Sequence, residues 1–342
     1  MDTKGRPVTI KDIARELNIS PSTVSRALKG YDTISEKTRK TVQELAEKYH
    51  YQPNSIALSL RQQKSFTIGV IIPEIVHFFF STVISGIEDV AYRAGYNVII
   101  SQTNESLERE ISDTKALMRN RVDGLLISLS RETTTYDHLH ELNDRGVPMV
   151  FFDRICPEIP TSRVIVDDME GARLGVQHLI DIGCKRIAHL RGHAGLEISE
   201  NRLQGYKQAL EANGLPFDEE LVVICDDSSV DQSILVTQKL LALDKRPDGI
   251  FAWHDVCAMG AMKAIFKAGL NVPKDIAIVG FSDWQFAALV HPSLTSIHQS
   301  GFEMGQAAAR LFIDQIDSKS AEFVPRTEVV PTRLVIRDST SR

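Results

Sequence analysis

The sequence predicts an α/β protein that consists of an N-terminal all-α head followed by two doubly wound parallel-sheet subdomains. The chain has 342 residues, which is enough for two large units of about 150 residues each and a smaller one. Apolar residues recur at helical spacing in the first 50 residues, and β-rich runs alternate with amphipathic helices from Phe66 onward. Repeated β–α alternation is typical of parallel sheets that carry helices on both faces.

The charge of the chain is divided unevenly between its two ends. Residues 1–64 hold twelve Lys and Arg and seven Asp and Glu, a net charge of +5, whereas the remaining residues hold 27 basic and 38 acidic side chains. A cationic segment on an anionic body is expected when only that segment meets a polyanion. Chance clustering of surface charge gives the same asymmetry, so this pattern alone does not identify a partner.

Helix start signals divide the head into three short helices. Thr9 is suited to cap a first helix, and Asn18 then tolerates the left-handed backbone that a tight turn needs. Ser20 and Pro21 open the second helix, because the serine accepts from free amides and proline needs no amide partner there. Ser35 can cap a third helix. Two short helices joined by a tight turn and supported by a third make a helix-turn-helix.

The second helix carries the residues that would read DNA. Such a helix fits the major groove, and residues near its N-terminus reach base edges while hydroxyl groups and lysines hold phosphates. Arg26 is the strongest candidate, because its guanidinium can donate to O6 and N7 of one guanine. A small helical interaction module, with Arg26 as a solvated surface charge, is the alternative.

The connector between Tyr51 and Lys64 includes the segment PNSIALSLRQQK, which has helical propensity but a length of only about two turns. A helix that short is marginal in water, because nucleation costs more than so few hydrogen bonds return. We expect it to form when two copies meet on DNA, with Leu60 as a wedge between base steps in the minor groove. A plain linker whose leucines rest on the nearest domain is the alternative.

The sequence of the acidic body predicts two successive series of buried strands and amphipathic helices. The first series has strands at Thr67–Ile72, Asn97–Ser101, Gly124–Ser128 and Met149–Phe152, with helices around Ser81–Ala94, Glu108–Arg119 and Tyr136–Arg145. The second series has strands at Val164–Val166, Arg186–Leu190, Val222–Cys225, Gly249–Ala252 and Ile276–Gly280, with helices around Glu170–Ile182, Asn201–Asn213, Gln232–Leu243 and Val256–Ala268. Two such series imply two subdomains with a cleft between them.

The side chains that follow the predicted strands mix carboxylates, guanidinium groups and aromatic rings. Ligands of such sheets bind beyond the carboxyl ends of the strands, and this mixture suits a polar ring such as a sugar. Each side chain also has a structural interpretation: Asp255 can cap a helix, Phe78 can belong to the core, and Asp153 can pair with Arg154. The set is Phe78, Phe79, Phe80, Asp153, Arg154, Asp167, Asp168, Arg191, Asp226, Asp227, His254, Asp255, Ser282, Asp283 and Trp284.

Several function classes find no support in the sequence. The chain has no GxxxxGK[ST] phosphate loop, HExxH zinc motif or GxSxG nucleophile elbow, so we expect no catalytic centre, cofactor or metal. Its four cysteines form no CxxC pair, which argues against a zinc knuckle or a disulfide framework. No apolar run reaches the roughly 18 residues that span a bilayer, and the N-terminus does not look like a secretory signal. We therefore expect a cytoplasmic protein that is not an enzyme.

The head resembles the DNA-binding head and hinge of the lactose-repressor (LacI/GalR) family of bacterial transcription regulators. The resemblance rests on the segments VTIKDIARELNISPSTVSRALKG and ISEKTRKTVQELAEKYHYQPNSIALSLR. Pro21 departs from the family in character, because its side chain cannot form a hydrogen bond. The resemblance implies base readout at Pro21, Ser22 and Arg26, an intercalating leucine at Leu60, and supporting DNA contacts at Thr9, Thr23 and Ser25.

The body resembles the periplasmic-binding-protein-like effector domain of the same family. The resemblance rests on TIGVIIPE, RVDGLLIS, NRLQGYKQAL, RPDGIFAWHDVCAMGAMKAI, AIVGFSD and PSLTSIHQ. Ser282 stands where the family usually has an acidic residue, with the carboxylate moved to Asp283, and His254 stands where Asn is frequent. These departures indicate an effector different from that of better-known relatives. The implied effector contacts are Phe80, Asp153, Arg202, His254, Asp283 and Trp284.

These observations predict three regions: a helix-turn-helix domain at 1–50, a hinge at 51–64, and an effector-binding and dimerisation domain at 65–342. The chain is expected to cross between the two subdomains near 160, 292 and 326. We expect a homodimeric repressor that binds a near-palindromic DNA operator and responds to a small sugar-like effector. Only a few residues follow the last predicted strand, Leu334–Ile336, so no zipper that would make a tetramer is expected. The alternative is a cytoplasmic sugar-binding or sugar-modifying protein with an incidental helical head.

Overall fold

The computed structural model describes residues 8–51, 64–225, 229–318 and 323–342. The chain divides into two compact units, Met1–Ser65 and Phe66–Arg342. Leu60 and most of the predicted hinge lie outside the described residues, as do Asp226 and Asp227. Within the described ranges, no helix combines the length and the apolar character that crossing a membrane requires.

The first unit is a helix-turn-helix of three helices, as the capping residues and apolar spacing predict. Its helices are α1 (Ile10–Glu16), α2 (Pro21–Leu28) and α3 (Glu36–Lys48). Apolar side chains from all three meet in one small core, which includes Ile13, Ala14, Val24, Ala27, Val42 and Ala46.

The caps and the turn of the head follow the sequence prediction in detail. The Asp12 carboxylate accepts hydrogen bonds from the backbone N and the Oγ1 of Thr9, at 3.0 and 2.7 Å. The Ser20 hydroxyl accepts from the backbone N of Thr23 at 3.1 Å, which satisfies one free amide at the start of α2. Asn18, in the turn between α1 and α2, has a φ of 52°. The turn therefore depends on a residue that tolerates left-handed backbone.

The second unit alternates helices and strands along its length. Its helices are α4 (Phe78–Arg93), α5 (Leu107–Arg119), α6 (Asp137–Asp144), α7 (Asp168–Asp181), α8 (Glu197–Ala212), α9 (Val230–Leu241), α10 (Asp255–Lys267) and α11 (Gly301–Asp317). Its strands are β1 (Thr67–Ile72), β2 (Asn97–Gln102), β3 (Gly124–Ile127), β4 (Met149–Phe152), β5 (Ser162–Val166), β6 (Ile187–Arg191), β7 (Val222–Ile224), β8 (Gly249–Ala252), β9 (Ala277–Ser282), β10 (Thr295–Gln299), β11 (Thr327–Val330) and β12 (Thr332–Val335).

The strands form two six-stranded sheets, each covered by helices on both faces. The first sheet has the order β11-β5-β4-β3-β1-β2 and is parallel throughout. The second has the order β12-β10-β9-β8-β6-β7, with β12 antiparallel to β10 at one edge. Helices α4 and α11 share a core on one face of the first sheet, and α5 and α6 contribute to the core on its other face. In the second sheet, α7 and α8 share one core and α9 and α10 share the other.

The structure corrects the placement of one strand. The sequence assigns Val164–Val166 to the start of the second series, but β5 belongs to the first sheet, where it pairs with β4 and β11. The chain therefore passes between the sheets at the β5–α7, β10–α11 and β11–β12 connections. These passages lie a few residues beyond the predicted positions near 160, 292 and 326. Sheet membership depends on long-range pairing, which a local strand pattern does not carry.

Helix α11 and strands β10 and β11 are absent from the sequence prediction. Two glycines in the sequence of α11, Gly301 and Gly305, lower its helix propensity. The fold needs glycine there, because a Cβ at Gly305 would lie 2.0 Å from the carbonyl oxygen of Val83 in α4. The close approach of α4 and α11 therefore compensates for the weak local preference.

Candidate nucleic-acid interface and ligand cleft

One face of α2 is open to solvent and carries four of the predicted DNA contacts. Pro21, Ser22, Ser25 and Arg26 recur at helical spacing on this face; Ser25 is half-buried and the other three are exposed. The Arg26 guanidinium forms no hydrogen bond or ion pair with any described residue, so its five N–H groups are available to a partner.

Thr9, Ser22 and Thr23 take part in the hydrogen bonds that cap the first two helices. The Ser20 hydroxyl lies 2.7 Å from the Ser22 hydroxyl and 2.8 Å from the Thr23 hydroxyl. Thr9 is exposed but donates its hydroxyl proton to Asp12. Hydroxyl groups held in this way retain lone pairs or a second rotamer for phosphate contacts, whereas a base-specific contact needs a free side chain such as Arg26.

Asp153 lies at the carboxyl end of β4, in the cleft between the two sheets. Its φ of 60° places a non-glycine residue in the left-handed region, which is a strained conformation. Its carboxylate accepts no hydrogen bond from the described residues, and its nearest cationic group is Arg154 Nε at 3.9 Å. Burial raises the pKa of Asp153 above its usual range, and the positive charges of Arg154 and Arg202 oppose that effect. The carboxylate is therefore an open acceptor for a ligand.

Arg154 is held away from Asp153 by a stronger partner. Its Nη1 lies 2.6 Å from Oε2 of Glu105, and both side chains are largely buried. Glu105 also accepts a hydrogen bond from the backbone N of Arg131 at 2.7 Å. The Glu105–Arg154 pair therefore contributes no net charge to the cleft.

Arg202, on α8, forms the second buried ion pair of the cleft. Its Nε and Nη2 lie 2.8 and 2.7 Å from Oδ1 of Asp168, and its Nη1 donates to the backbone oxygen of Trp253. The guanidinium stacks 3.6 Å from the ring centroid of Phe281. Burial raises the pKa of Asp168 to about 6, although Arg202 acts in the opposite direction. These three contacts use three of five N–H groups, which leaves two for a ligand.

His254 caps α10 beside this pair. Its Nδ1 accepts the backbone N–H of Cys257 at 3.1 Å. Burial lowers the pKa of His254 to about 3, and the positive charges of His77 and Arg202 lower it further. The ring is therefore neutral, and because Nδ1 is an acceptor, its single proton lies on Nε2. The residue that caps α10 is therefore His254, whereas the sequence suggested Asp255 for this role.

Asp283 and Trp284 follow β9 in a strained loop, where Ser282 and Asp283 have φ angles of 101° and 52°. The Asp283 carboxylate lies 2.7 Å from Arg337 Nη2 and 3.0 Å from His298 Nδ1, so it is already paired. The backbone N of Trp284 donates to Oδ2 of Asp255 at 2.7 Å. This contact fixes the position of the backbone at Trp284.

The Trp284 ring meets aromatic residues that precede and open α4. Its centroid lies 6.0 Å from His77 and 6.5 Å from Phe78, and these contacts connect the two subdomains. A cavity of about 190 Å³ lies beside it, lined by Phe78, Phe79, Asp283 and Trp284 among others. The buried indole Nε1 of Trp284 has no hydrogen-bond partner among the described residues.

The structure corrects the prediction for the three consecutive phenylalanines. The sequence places them in the connection after β1, but they form the first turn of α4. Phe80 is only 4% exposed and belongs to the core of the first sheet. Phe79 is 8% exposed and belongs to the same core, although its side chain also lines the cavity together with Phe78.

Sequence reasoning missed Glu105, His77 and Trp253 as residues of the cleft. Trp253 follows β8 directly, so the rule that located His254 should also have included it. Glu105 carries no local signal, because its partner Arg154 is 49 residues away in the chain.

Comparisons with known proteins agree with both units. Residues 9–54 match the model described as bacterial regulatory proteins, lacI family, and residues 176–340 match a periplasmic binding protein-like domain. The ribose operon repressor of Halalkalibacterium halodurans is 36% identical over 333 residues, which are 97% of each chain. The lac repressor dimer bound to operator and the anti-inducer ONPF is similar with a TM-score of 0.87 and 27% identity, over 98% of this chain and 99% of that one. A CelR–cellobiose complex is similar with a TM-score of 0.74 and 29% identity, over 97% of this chain and 99% of that one.

Proposed function

The chain belongs to the lacI family of bacterial regulatory proteins, and from this premise we propose that it is a sugar-responsive repressor of transcription. It is a DNA-binding regulator whose affinity for an operator is controlled by a small polar effector. The observation that carries the sugar assignment is the open carboxylate of Asp153 beside two unused N–H groups of Arg202. A repressor acts on chromosomal DNA, so we place it in the cytoplasm.

The charges of the cleft favour an uncharged ligand with many hydroxyl groups. Glu105 neutralises Arg154 and Asp168 neutralises Arg202, so neither pair demands an ionic ligand. Asp153 can accept from two hydroxyl groups, while Arg202 can donate. The rings of Trp253 and Trp284 supply flat surfaces for the C–H face of a sugar. Asp283, already paired with Arg337 and His298, would act by holding the loop that carries Trp284.

On DNA, we propose that α2 enters the major groove of each half-site. Arg26 and Ser22 would read base edges, Pro21 would make an apolar contact, and Thr9, Thr23 and Ser25 would hold phosphates. Two heads in a homodimer would match the two halves of a near-palindromic operator.

The function is tested by titrating D-ribose and cellobiose into the full-length protein bound to a fluorescent operator fragment. We expect one sugar class to change operator affinity severalfold or more, which corresponds to a coupling of about 1–3 kcal/mol between the two sites. A sugar-binding or sugar-modifying protein with an incidental head would bind the sugar with no change in DNA affinity. Chemical conversion of the sugar would overturn our assignment of a non-enzymatic role.

For the hinge, we expect Leu60→Ala to weaken operator binding and leave sugar binding unchanged, because the alanine cannot wedge between base steps. Fluorescence anisotropy on operator DNA and calorimetric sugar titration would measure the two affinities. Leu58→Ala is the matched control, since it removes the same side chain two residues away. Equal losses from both variants, or a parallel loss of sugar binding, would contradict the wedge.

For the dimer, we propose that an apolar groove on α10 packs against a second copy of the chain. Met259, Met262, Phe266 and Val290 line this groove of about 520 Å³, with Lys263, Lys267 and His291 also contributing. Nearby Leu289 is 76% exposed, and exposed apolar patches of this kind mark interaction sites.

Leu289→Asp is therefore expected to shift the protein from dimer to monomer, because it places a charged side chain in an apolar interface, where burying a charge without a partner is costly. Light scattering after size-exclusion chromatography would give the mass. Val324→Asp is the control, since Val324 is 73% exposed but, unlike Leu289, is not adjacent in the chain to a residue that lines the groove. A Leu289→Asp variant that remains dimeric at micromolar concentration would exclude this groove.

A further inference from the structure

Two cysteines lie in contact in the core of the second sheet, beside His254 of the ligand cleft. Cys225 follows β7, Cys257 lies in the first turn of α10, and their Sγ atoms are 3.3 Å apart. Both side chains are fully buried. The remaining cysteines, Cys156 and Cys184, are also buried, but neither contacts another sulfur within the described part of the chain.

A directed chain of hydrogen bonds holds the two thiols in place. The Cys257 thiol donates to the sulfur of Cys225. The Ser233 hydroxyl, 3.2 Å from Cys225 Sγ, donates its own proton to the backbone oxygen of Ser229 at 2.7 Å. Ser233 must therefore accept from Cys225. The two sulfurs face each other with a fixed orientation, which favours reaction between them over reaction with other groups.

Cys257 is also coupled to the ligand cleft through His254. Its backbone N–H is the donor that His254 Nδ1 accepts, and its Sγ lies 3.7 Å from His254 Nε2. The arrangement does not suit a metal ion, because Nδ1 already accepts a hydrogen bond and the neutral ring needs its proton on Nε2. A movement of Cys257 toward Cys225 would instead displace the backbone N–H to which the His254 ring is hydrogen-bonded.

We propose that Cys225 and Cys257 form a peroxide-sensitive thiol pair, whose closure to a disulfide resets the ligand cleft through His254. Hydrogen peroxide first oxidises one thiol to a sulfenic acid and is reduced to water. The second thiol then attacks the sulfenic sulfur, the S–S bond forms, and the sulfenic oxygen leaves as a second water molecule. The two thiols lose two electrons and two protons in total, and a dithiol reductant restores them.

The geometry and the burial set the conditions of this reaction. A disulfide bond of about 2.05 Å requires the two sulfurs to approach by about 1.2 Å. Burial raises the pKa of the Cys257 thiol well above its usual range, so little thiolate is present at neutral pH. Because both thiols are fully buried, bulky oxidants have no ready access, whereas peroxide is small and uncharged. The low thiolate fraction makes the oxidation slow, so it requires a sustained exposure to peroxide. Disulfides of this kind in reducing compartments are typically transient and redox-sensing.

The experiment exposes reduced full-length protein to hydrogen peroxide and then removes the peroxide. The protein is unfolded in denaturant, because all four cysteines are buried, and the remaining thiols are then alkylated before the intact mass is measured. We expect two of the four cysteines to escape alkylation, peptide mapping to join Cys225 to Cys257, and dithiothreitol to restore all four. In Cys257→Ala, every remaining cysteine should still be alkylated after peroxide. In the control Cys184→Ala, two cysteines should still escape alkylation. Because the mass of the unmutated protein is decisive by itself, poor folding of a variant does not affect the test.

A second measurement reads the cleft without any ligand. The chain has only two tryptophans, Trp253 and Trp284, and both belong to the cleft. Peroxide should change their emission in the unmutated protein and not in Cys257→Ala. Full alkylation after peroxide, oxidation that falls equally on Cys156 and Cys184, or unchanged emission in the disulfide form would overturn the proposal.

An effect of the disulfide on sugar affinity rests on the proposed function. The number of alkylated cysteines and the tryptophan emission do not depend on that function. Absence of sugar binding by reduced protein would thus refute the proposed function and leave the thiol pair standing.

Discussion

Arg202→Ala is expected to lower the free energy of unfolding by about 3–5 kcal/mol and to abolish sugar binding. The substitution leaves the carboxylate of Asp168 buried without its cation, and that uncompensated charge is the main cost. It also removes the guanidinium that stacks on Phe281 and the two N–H groups assigned to the ligand. Urea unfolding and calorimetric titration with sugar would measure the two losses.

A double variant separates stability from recognition. Arg202→Met with Asp168→Leu replaces the buried pair by apolar side chains, and such replacements are often neutral or stabilising. We expect the double variant to recover most of the lost stability and none of the sugar binding. Recovery of sugar binding would show that Arg202 acts only as a partner for Asp168.

The stability deficit of Arg202→Ala should also depend on pH. Below the usual pKa of an aspartate, 3.8, the Asp168 carboxyl is protonated in both the folded and the unfolded state, so folding buries no charge at this position. As pH rises, the unfolded state ionises first and stability falls until the folded carboxyl ionises, near pH 6 in the unmutated protein. Loss of Arg202 raises the folded pKa further. The deficit should therefore widen as pH rises above about 6 and narrow in acid.

Arg26→Ala is expected to weaken operator binding by about 1–3 kcal/mol per half-site, or between about fivefold and 150-fold. The exposed guanidinium of Arg26 forms no contact with described residues, so its removal should leave the stability of the head unchanged. Specificity should relax at one base pair in each half-site, because no other side chain of α2 can donate twice to one guanine.

The matched control for Arg26→Ala is Lys29→Ala, an exposed cation at the end of the same helix. A phosphate contact at Lys29 would weaken binding equally on all sequences and reduce the salt dependence by about one counterion. Anisotropy titrations on operator fragments, on single-base variants and at several salt concentrations separate the two effects. A uniform loss for Arg26→Ala across all fragments would identify it as a phosphate contact.

The helix-turn-helix is the part of the fold that the sequence predicted most closely. Thr9, Ser20 and Ser35 lie at the starts of three helices, and Asn18 has the left-handed backbone expected of it. Capping and turn formation involve residues a few positions apart, so the information lies in short segments. The same holds for β1 and β4, whose predicted bounds coincide with the observed ones.

The cleft was predicted only in part. The rule that ligands lie beyond the carboxyl ends of parallel strands located Asp153 and His254, because strand ends are readable from the sequence. It could not tell that Asp283 is already paired with Arg337, 54 residues away in the chain. Nor could it tell that Phe80 lies in the core and does not line the cavity, since that choice depends on where α4 begins.

The amino-acid order by itself determined the alternation of elements, the helix-turn-helix, the cationic face of α2 and the side of the sheets on which ligands lie. These features follow from periodicity and capping over a few residues. The tertiary structure decided which sheet receives β5, which carboxylate neutralises Arg202 and which thiols meet. Asp168 and Arg202 are 34 positions apart, and Cys225 and Cys257 are 32 apart. Such partners are chosen by how strands pair and helices pack, and no local pattern records that choice.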